Sequence, residues 1–139
     1  MISGRINHLA VFVLVIVHQI FGFVWYSPYV FGNAWLTYVG KTSPQLNHNP
    51  IPYILSILSS LFLCYTIAIL YRFLSIQTVL KGIIVAFVFW FSFLFLNTAT
   101  QETFAVRPLR LILINTGGQL VLYLLTGAVL ASWRGKAKR

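Results

Sequence analysis

Residues 79–100 have the sequence VLKGIIVAFVFWFSFLFLNTAT, in which Lys81 is the only charged side chain. An α-helix needs about 20 mainly apolar residues to cross the hydrocarbon core of a bilayer. The apolar residues of this stretch follow one another without the period-two alternation that is typical of strands in a membrane barrel. The stretch therefore predicts a membrane-spanning α-helix.

Three further apolar stretches flank it, at about 9–26, 51–71 and 109–133. The connections after the second and third spans are short, so neighbouring helices must run in opposite directions. We therefore expect an all-α fold, an integral membrane antiparallel four-helix bundle, with residues 1–139 forming a single transmembrane domain. A segment at about 30–39, with Trp35 and Tyr38, is expected to be either a short interfacial helix or an ordered loop.

The composition also favours a membrane protein. Apolar residues make up 59% of the chain and charged residues 8%, whereas soluble domains usually have about 25% charged residues. The ten Lys and Arg residues lie at the ends of apolar runs, where they meet phospholipid headgroups. Because no basic stripe is interleaved with aromatic residues, we expect no nucleic-acid binding. The expected partners are the lipid bilayer and either a second copy of the chain or another membrane protein.

Basic residues are divided unequally between the two ends of the predicted bundle. One end, here called the basic end, holds both termini and the second connection, with Arg5, Arg72, Lys81, Arg134, Lys136, Lys138 and Arg139. The opposite end, here called the outer end, holds Lys41, Arg107 and Arg110. Since base-rich connections stay in the cytoplasm, we expect both termini to be cytoplasmic, in a bacterial-type plasma membrane.

Two polar side chains, His18 and Gln119, fall near mid-depth in the first and fourth spans, where they can meet. Polar groups at this depth usually hydrogen-bond between helices, and we favour that interpretation. The alternative is a proton-relay or substrate-contact histidine. We expect no metal site, because His8, His18 and His48 are spread over both ends and the middle of the bundle.

A denser group of polar and aromatic residues lies at the outer end. The candidate ligand-binding residues are Trp25, Tyr26, Ser27, Asn97, Gln101, Glu102, Arg107, Arg110 and Asn115. These residues either line a pocket that opens to the outside, or they form a structural corner. In the structural interpretation, which we favour, Glu102 pairs with Arg107 or Arg110 to fix a loop.

Catalytic patterns are scarce. With Glu102 as the only acidic residue, the chain has neither an internal carboxylate pair nor an Asp for a Ser-His-Asp arrangement. No nucleotide-binding or zinc-protease motif occurs, and we expect no catalytic residue and no cofactor. Three hypotheses remain: a non-enzymatic protein that binds a partner, lipid or small polar ligand at the outer end, an oligomeric transporter or channel, and a membrane enzyme that uses His18 or Glu102.

Two blocks of sequence resemble one family. The first comprises NHLAV at residues 7–11 and GFVWYSPYVFGNAW at residues 22–35, and the second comprises RPL at residues 107–109 and LINTG at residues 113–117. They are similar to the domain-of-unknown-function 1761 family of small four-helix membrane proteins. The resemblance implies the fold and the membrane class, and it implies no reaction. Several of its motif residues fall at the outer end, namely Trp25, Tyr26, Ser27, Pro28, Arg107, Pro108 and Asn115. This modestly favours the pocket interpretation there, although a shared structural corner would give the same pattern.

Overall fold

The computed structural model describes residues 5–41 and 49–133. His48, Arg134, Lys136, Lys138 and Arg139 lie outside these ranges. The regular elements within them are helices, which we label α1 (His8–Trp25), α2 (Gly32–Val39), α3 (Ile51–Phe73), α4 (Val79–Phe104) and α5 (Leu109–Ser132). The all-α fold class is thus confirmed for the described residues. By length and composition, α1, α3, α4 and α5 are able to cross a membrane.

The helix boundaries have local causes. The side chain of Asn7 caps α1 by accepting a hydrogen bond from the backbone N–H of Ala10, at 3.2 Å, and Thr78 caps α4 in the same way. Gly40 ends α2 with a φ of 73°, a left-handed conformation that glycine adopts without strain. Residues 32–39 are therefore helical, as one of the two sequence-based alternatives for this segment proposed.

The hydrogen-bonding pattern of α4 changes along its length. Val79–Phe89 is α-helical, Trp90–Phe95 is π-helical and Leu96–Phe104 is α-helical again. Sequence analysis did not predict this insertion, because an apolar run has the same composition in either geometry. π-Helical turns inside α-helices frequently accompany functional sites. Here the segment begins at Trp90, whose indole N–H donates to the carbonyl oxygen of Thr116 on α5, at 2.9 Å.

Helix α5 lies at the centre of the packing. It contacts each of the other four helices, and 39% of its most apolar stretch is buried, against 17–22% for the other three long helices. Large apolar side chains such as Phe12, Phe62 and Phe93 are exposed on the outside of the described structure. Such an exterior suits hydrocarbon rather than water.

Small residues bring α4 and α5 close together near the basic end. A Cβ atom on Gly82 would lie 2.7 Å from the Cβ of Ala131 and 2.7 Å from the carbonyl oxygen of Gly127. A Cβ atom on Gly127 would lie 2.7 Å from that of Ala86. Helix α4 thus crosses α5 at two pairs of small residues, Gly82 with Ala86 on α4 and Gly127 with Ala131 on α5. Small residues spaced four apart are common where membrane helices pack closely. Tyr71 of α3 closes the crossing by donating a hydrogen bond to the carbonyl oxygen of Gly82.

Helices α3 and α4 both pack on α5, but they make few contacts with each other among the described residues. A cavity lined by residues of α3, α4 and α5 lies between them. This cavity forms the site described next.

Candidate functional site

The chain reverses direction at the outer end in a hydrogen-bonded corner, residues 25–32. The backbone N–H of Phe31 donates to the carbonyl oxygen of Trp25 at 3.1 Å, and that of Gly32 donates to Ser27 at 2.9 Å. A Cβ atom on residue 32 would lie 2.3 Å from the carbonyl oxygen of Tyr26, so the corner requires glycine at this position. The corner directs α2 back onto the start of α5.

Three tryptophans donate hydrogen bonds to successive residues of α5. The indole N–H of Trp25 donates to the carbonyl oxygen of Ile114 at 3.0 Å. Trp35 donates to the side-chain oxygen of Asn115 at 3.1 Å, and Trp90 donates to residue 116, as described above. Buried indoles usually find such an acceptor. The three bonds fix α1, α2 and α4 around one turn of α5.

Asn115 is the polar centre of this arrangement. Its side-chain oxygen accepts a hydrogen bond from the hydroxyl of Tyr26, at 3.1 Å, as well as from Trp35. Two of the candidate residues from the sequence, Tyr26 and Asn115, are therefore in direct contact.

Below Asn115, a cavity of about 250 Å³ opens between α3 and α4. We call it the lateral cavity. Its lining residues are Tyr26, Ser59, Leu63, Leu94, Thr98, Asn115, Thr116, Gln119 and Tyr123. None of them carries a charge, and the polar ones offer hydroxyl and amide groups. The lateral cavity therefore suits a neutral molecule that both donates and accepts hydrogen bonds.

Gln119 lies on the wall of the lateral cavity near the middle of α5. Its side chain is exposed, and among the described residues it has no hydrogen-bond partner. The expected contact with His18 is not formed: the Nε2 of His18 instead lies 2.9 Å from the hydroxyl of Thr126, in a buried position about two turns away along α5. That contact supports an interhelical role for His18.

The remaining candidates at the outer end do not converge on the lateral cavity. Gln101 donates to Asn97 along α4 at 2.6 Å, and both side chains are exposed. Arg107 is exposed, and Arg110 donates to the hydroxyl of Tyr38 at 3.2 Å. Ser27 contributes its carbonyl oxygen to the corner.

The ion pair of Glu102 that the sequence suggested is not formed among the described residues. Neither Arg107 nor Arg110 forms an ion pair with it. The loop is instead closed by the backbone, since the N–H of Arg107 donates to the carbonyl oxygen of Glu102 at 2.9 Å. Val106 adopts a left-handed φ of 56° in this turn, which reverses the chain within a few residues.

Four polar residues of the lateral cavity were not among the ligand-binding candidates from the sequence: Ser59, Thr98, Thr116 and Tyr123. One signal was available. Asn115, Gln119 and Tyr123 are spaced four apart, which places them on one face of a helix. The contributions of α3 and α4 had no comparable signal, because they depend on how these two helices pack on α5. In the described ranges, no three His, Cys, Asp or Glu side chains come together as a metal site would require.

Residues 9–131 match the model of the family described as "Protein of unknown function (DUF1761)". The chain belongs to this family. The match confirms the resemblance that the Trp-Tyr-Ser-Pro and Arg-Pro-Leu blocks indicate. No curated protein and no solved structure matches the chain. The DUF1761 match spans almost all of α1 to α5, so the corner, the tryptophan contacts and the lateral cavity all fall within the family's region.

Proposed function

We propose that this DUF1761 chain is a multi-pass membrane protein, folded as an antiparallel four-helix bundle with both termini in the cytoplasm, that binds a neutral amphiphilic ligand in the lateral cavity. The ligand class is a lipid-soluble molecule with a hydroxyl, carbonyl or amide head and an apolar body. The candidate site lies in the outer half of the bundle.

Pairs of contacts support the antiparallel arrangement. Asn7 near the start of α1 bonds Trp133 just after the end of α5, whereas Trp25 at the end of α1 bonds Ile114 near the start of α5. Likewise, Gly82 early in α4 approaches Gly127, and Trp90 further along bonds Thr116. Each pair indicates opposite directions along α5.

The observation that carries the binding proposal is the unpartnered amide of Gln119. An amide that faces hydrocarbon without a hydrogen bond costs several kcal/mol, because lipid tails offer neither donors nor acceptors. The described residues around Gln119 leave that amide accessible from the open side of the lateral cavity. A ligand head that pairs with it removes this cost, and the hydroxyls of Ser59, Thr98 and Tyr123 lie in the same cavity for further bonds.

The size and shape of the lateral cavity favour the head of an amphiphile. Its volume of about 250 Å³ is below the range of about 300–1,000 Å³ that is common for whole drug-sized ligands. The open side lies between two helices whose outer surfaces are apolar. A bound head group would therefore leave its apolar body in contact with the surrounding lipid.

The transporter hypothesis gains no support from the described residues. A transport path would have to continue from the lateral cavity to the basic end. That half is closed by the contact of Gly82 with Gly127 and by the buried His18 and Thr126 pair. An enzyme role for His18 is disfavoured by the same burial.

The test compares ligands that co-purify with the wild-type chain and with two glutamine variants. Gln119→Leu removes the unpartnered amide from the lateral cavity. Gln101→Leu is the matched control, because it removes an exposed amide from α4 outside the cavity. Each protein is extracted in mild detergent, and its bound molecules are analysed by organic extraction and mass spectrometry.

We expect a neutral amphiphile to be enriched with the wild type and with Gln101→Leu, and to fall to background with Gln119→Leu. Equal amounts in all three samples, or no enriched species in the wild type, would contradict the proposal. Native mass spectrometry of the same samples reports the copy number. A loss of oligomer in Gln119→Leu alone would instead make Gln119 a contact between subunits.

A further inference from the structure

A second pocket lies at the opposite end of the molecule. It is formed where the segment before α1 meets the last turn of α3 and the end of α5, and we call it the basal pocket. Its polar lining includes Arg5, Asn7, Arg72, Ser75 and Gln77, with Trp133 at one side. Its volume of about 50 Å³ exceeds the 10–15 Å³ or so that one water molecule needs.

The guanidinium of Arg72 is incompletely paired in this pocket. Its Nε atom is shielded from solvent and has no hydrogen-bond partner. Arginine in the last turn of a helix does interact favourably with the helix carbonyls, which accounts for a base at this position. That interaction leaves the Nε proton unbonded, and an unpaired buried donor is uncommon in proteins.

The sequence offers no acidic side chain to neutralise this pocket. Glu102 is the only one in the chain. It lies twenty residues beyond Gly82 on α4, and Gly82 bonds Tyr71, the neighbour of Arg72. At about 1.5 Å per residue, that separation is roughly 30 Å along the helix. No acidic side chain of the chain can therefore supply a counter-charge for Arg5 and Arg72.

We propose that the basal pocket binds a phosphate group through Arg5 and Arg72. A planar guanidinium presents two parallel N–H donors to a phosphate oxygen pair. Because the Nε atom of Arg72 is shielded, the donors for this contact are its two Nη groups. Asn7, Ser75 and Gln77 supply neutral polar groups around it. The pocket lies at the ends of α3 and α5, where we expect lipid headgroups, and basic pockets between helices at that level bind anionic lipids.

This site is independent of the proposed function. It lies at the basic end rather than in the outer half, and its ligand is an anion, whereas the lateral cavity has no charged lining residue. The phosphate has two conceivable sources with the same chemistry: the headgroup of an anionic lipid, or free phosphate in solution.

The experiment measures retention of phosphatidylglycerol by the purified full chain in detergent micelles, by native mass spectrometry, with phosphatidylcholine as the reference lipid. The variants are Arg72→Gln, Arg5→Gln and Arg72→Lys. Lys81→Gln is the matched control, because it removes one base from the same end without touching the basal pocket. Far-UV circular dichroism of each variant verifies that the helices are intact.

We expect Arg72→Gln to weaken phosphatidylglycerol retention by about 10-fold to 100-fold, as the loss of a charge-assisted contact does. Arg5→Gln should act in the same direction. Arg72→Lys should recover little, because an ammonium cannot present the two parallel, coplanar N–H donors of a guanidinium. Lys81→Gln should weaken phosphatidylglycerol retention by about fivefold or less, because it changes only the surface potential. Equal effects of Arg72→Gln and Lys81→Gln, or full recovery by Arg72→Lys, would overturn the proposal.

Inorganic phosphate distinguishes the two sources. If a large excess displaces phosphatidylglycerol from the wild type, the basal pocket is a phosphate site open to the solution. If it leaves retention unchanged while Arg72→Gln abolishes it, the source is the lipid headgroup. If the wild type retains phosphatidylglycerol no better than phosphatidylcholine and binds no inorganic phosphate by ³¹P NMR, the proposal is wrong.

Discussion

At the residue scale, neighbouring glycines on α5 have different roles. A Cβ atom on Gly118 would lie 2.9 Å from the indole nitrogen of Trp25, whereas one on Gly117 would lie 3.8 Å from the same ring. The first distance is a clash and the second is ordinary contact. Gly118 thus creates the space in which Trp25 reaches the carbonyl oxygen of Ile114.

We predict that Gly118→Ala destabilises the protein by about 1–3 kcal/mol, because the new methyl group displaces Trp25 from its acceptor. Gly117→Ala is the control and should change the free energy of unfolding little. Unfolding by SDS in mixed micelles, followed by circular dichroism, measures both. Equal stability of the two variants would show that Trp25 repacks without cost.

The sequence alone could not separate these two glycines. It identified Trp25, Tyr26 and Asn115 as members of one cluster, because they fall at the same membrane level. It did not predict the bond from Trp90 to Thr116, since any of the aromatic residues in α4 was equally placed to face α5. Which ring turns inward depends on the π-helical segment, and that segment depends on packing rather than on local composition.

At the element scale, the close approach of α4 to α5 depends on α3 as well as on small residues. The hydroxyl of Tyr71 donates to the carbonyl oxygen of Gly82, at the point where α4 and α5 are closest. The span boundaries near this crossing follow from sequence, because lipid demands a minimum apolar length. The residue of α5 that contacts Gly82 could not be predicted from the sequence, since several small residues of α5 are spaced four apart.

We predict that Tyr71→Phe lowers the free energy of unfolding by about 0.6–2 kcal/mol, which is the usual contribution of a hydrogen bond between membrane helices. Tyr53→Phe is a suitable control, because the Tyr53 side chain is exposed and its ring stacks on Phe23. Chemical unfolding of both variants under identical conditions gives the comparison. A larger loss in Tyr53→Phe would contradict the importance assigned to the crossing.

At the scale of the whole molecule, charge and polarity divide the bundle into two unlike ends. The basic end holds the arginines of the basal pocket. The outer half holds the lateral cavity and Glu102, the only acidic side chain. The four long apolar helices were predictable from sequence, because each apolar run is long enough to form one. The lateral cavity was not predictable, since its lining combines residues from several helices.

We predict that both termini lie in the cytoplasm, because the basic end carries seven of the ten basic residues. A green fluorescent protein fused after Arg139 should fluoresce, because it remains in the cytoplasm. Alkaline phosphatase fused at Lys41 should be active, because that enzyme is active only outside the cytoplasm. The opposite pattern would invert the orientation and place the lateral cavity in the cytoplasmic half.

The position of α5 in the chain order has a consequence for biogenesis. It follows every other described helix, yet it accepts the indole hydrogen bonds of Trp25, Trp35 and Trp90. These three donors therefore have no partner on α5 until the last helix has been synthesised. A chain truncated before α5 would leave all three indole groups without these acceptors.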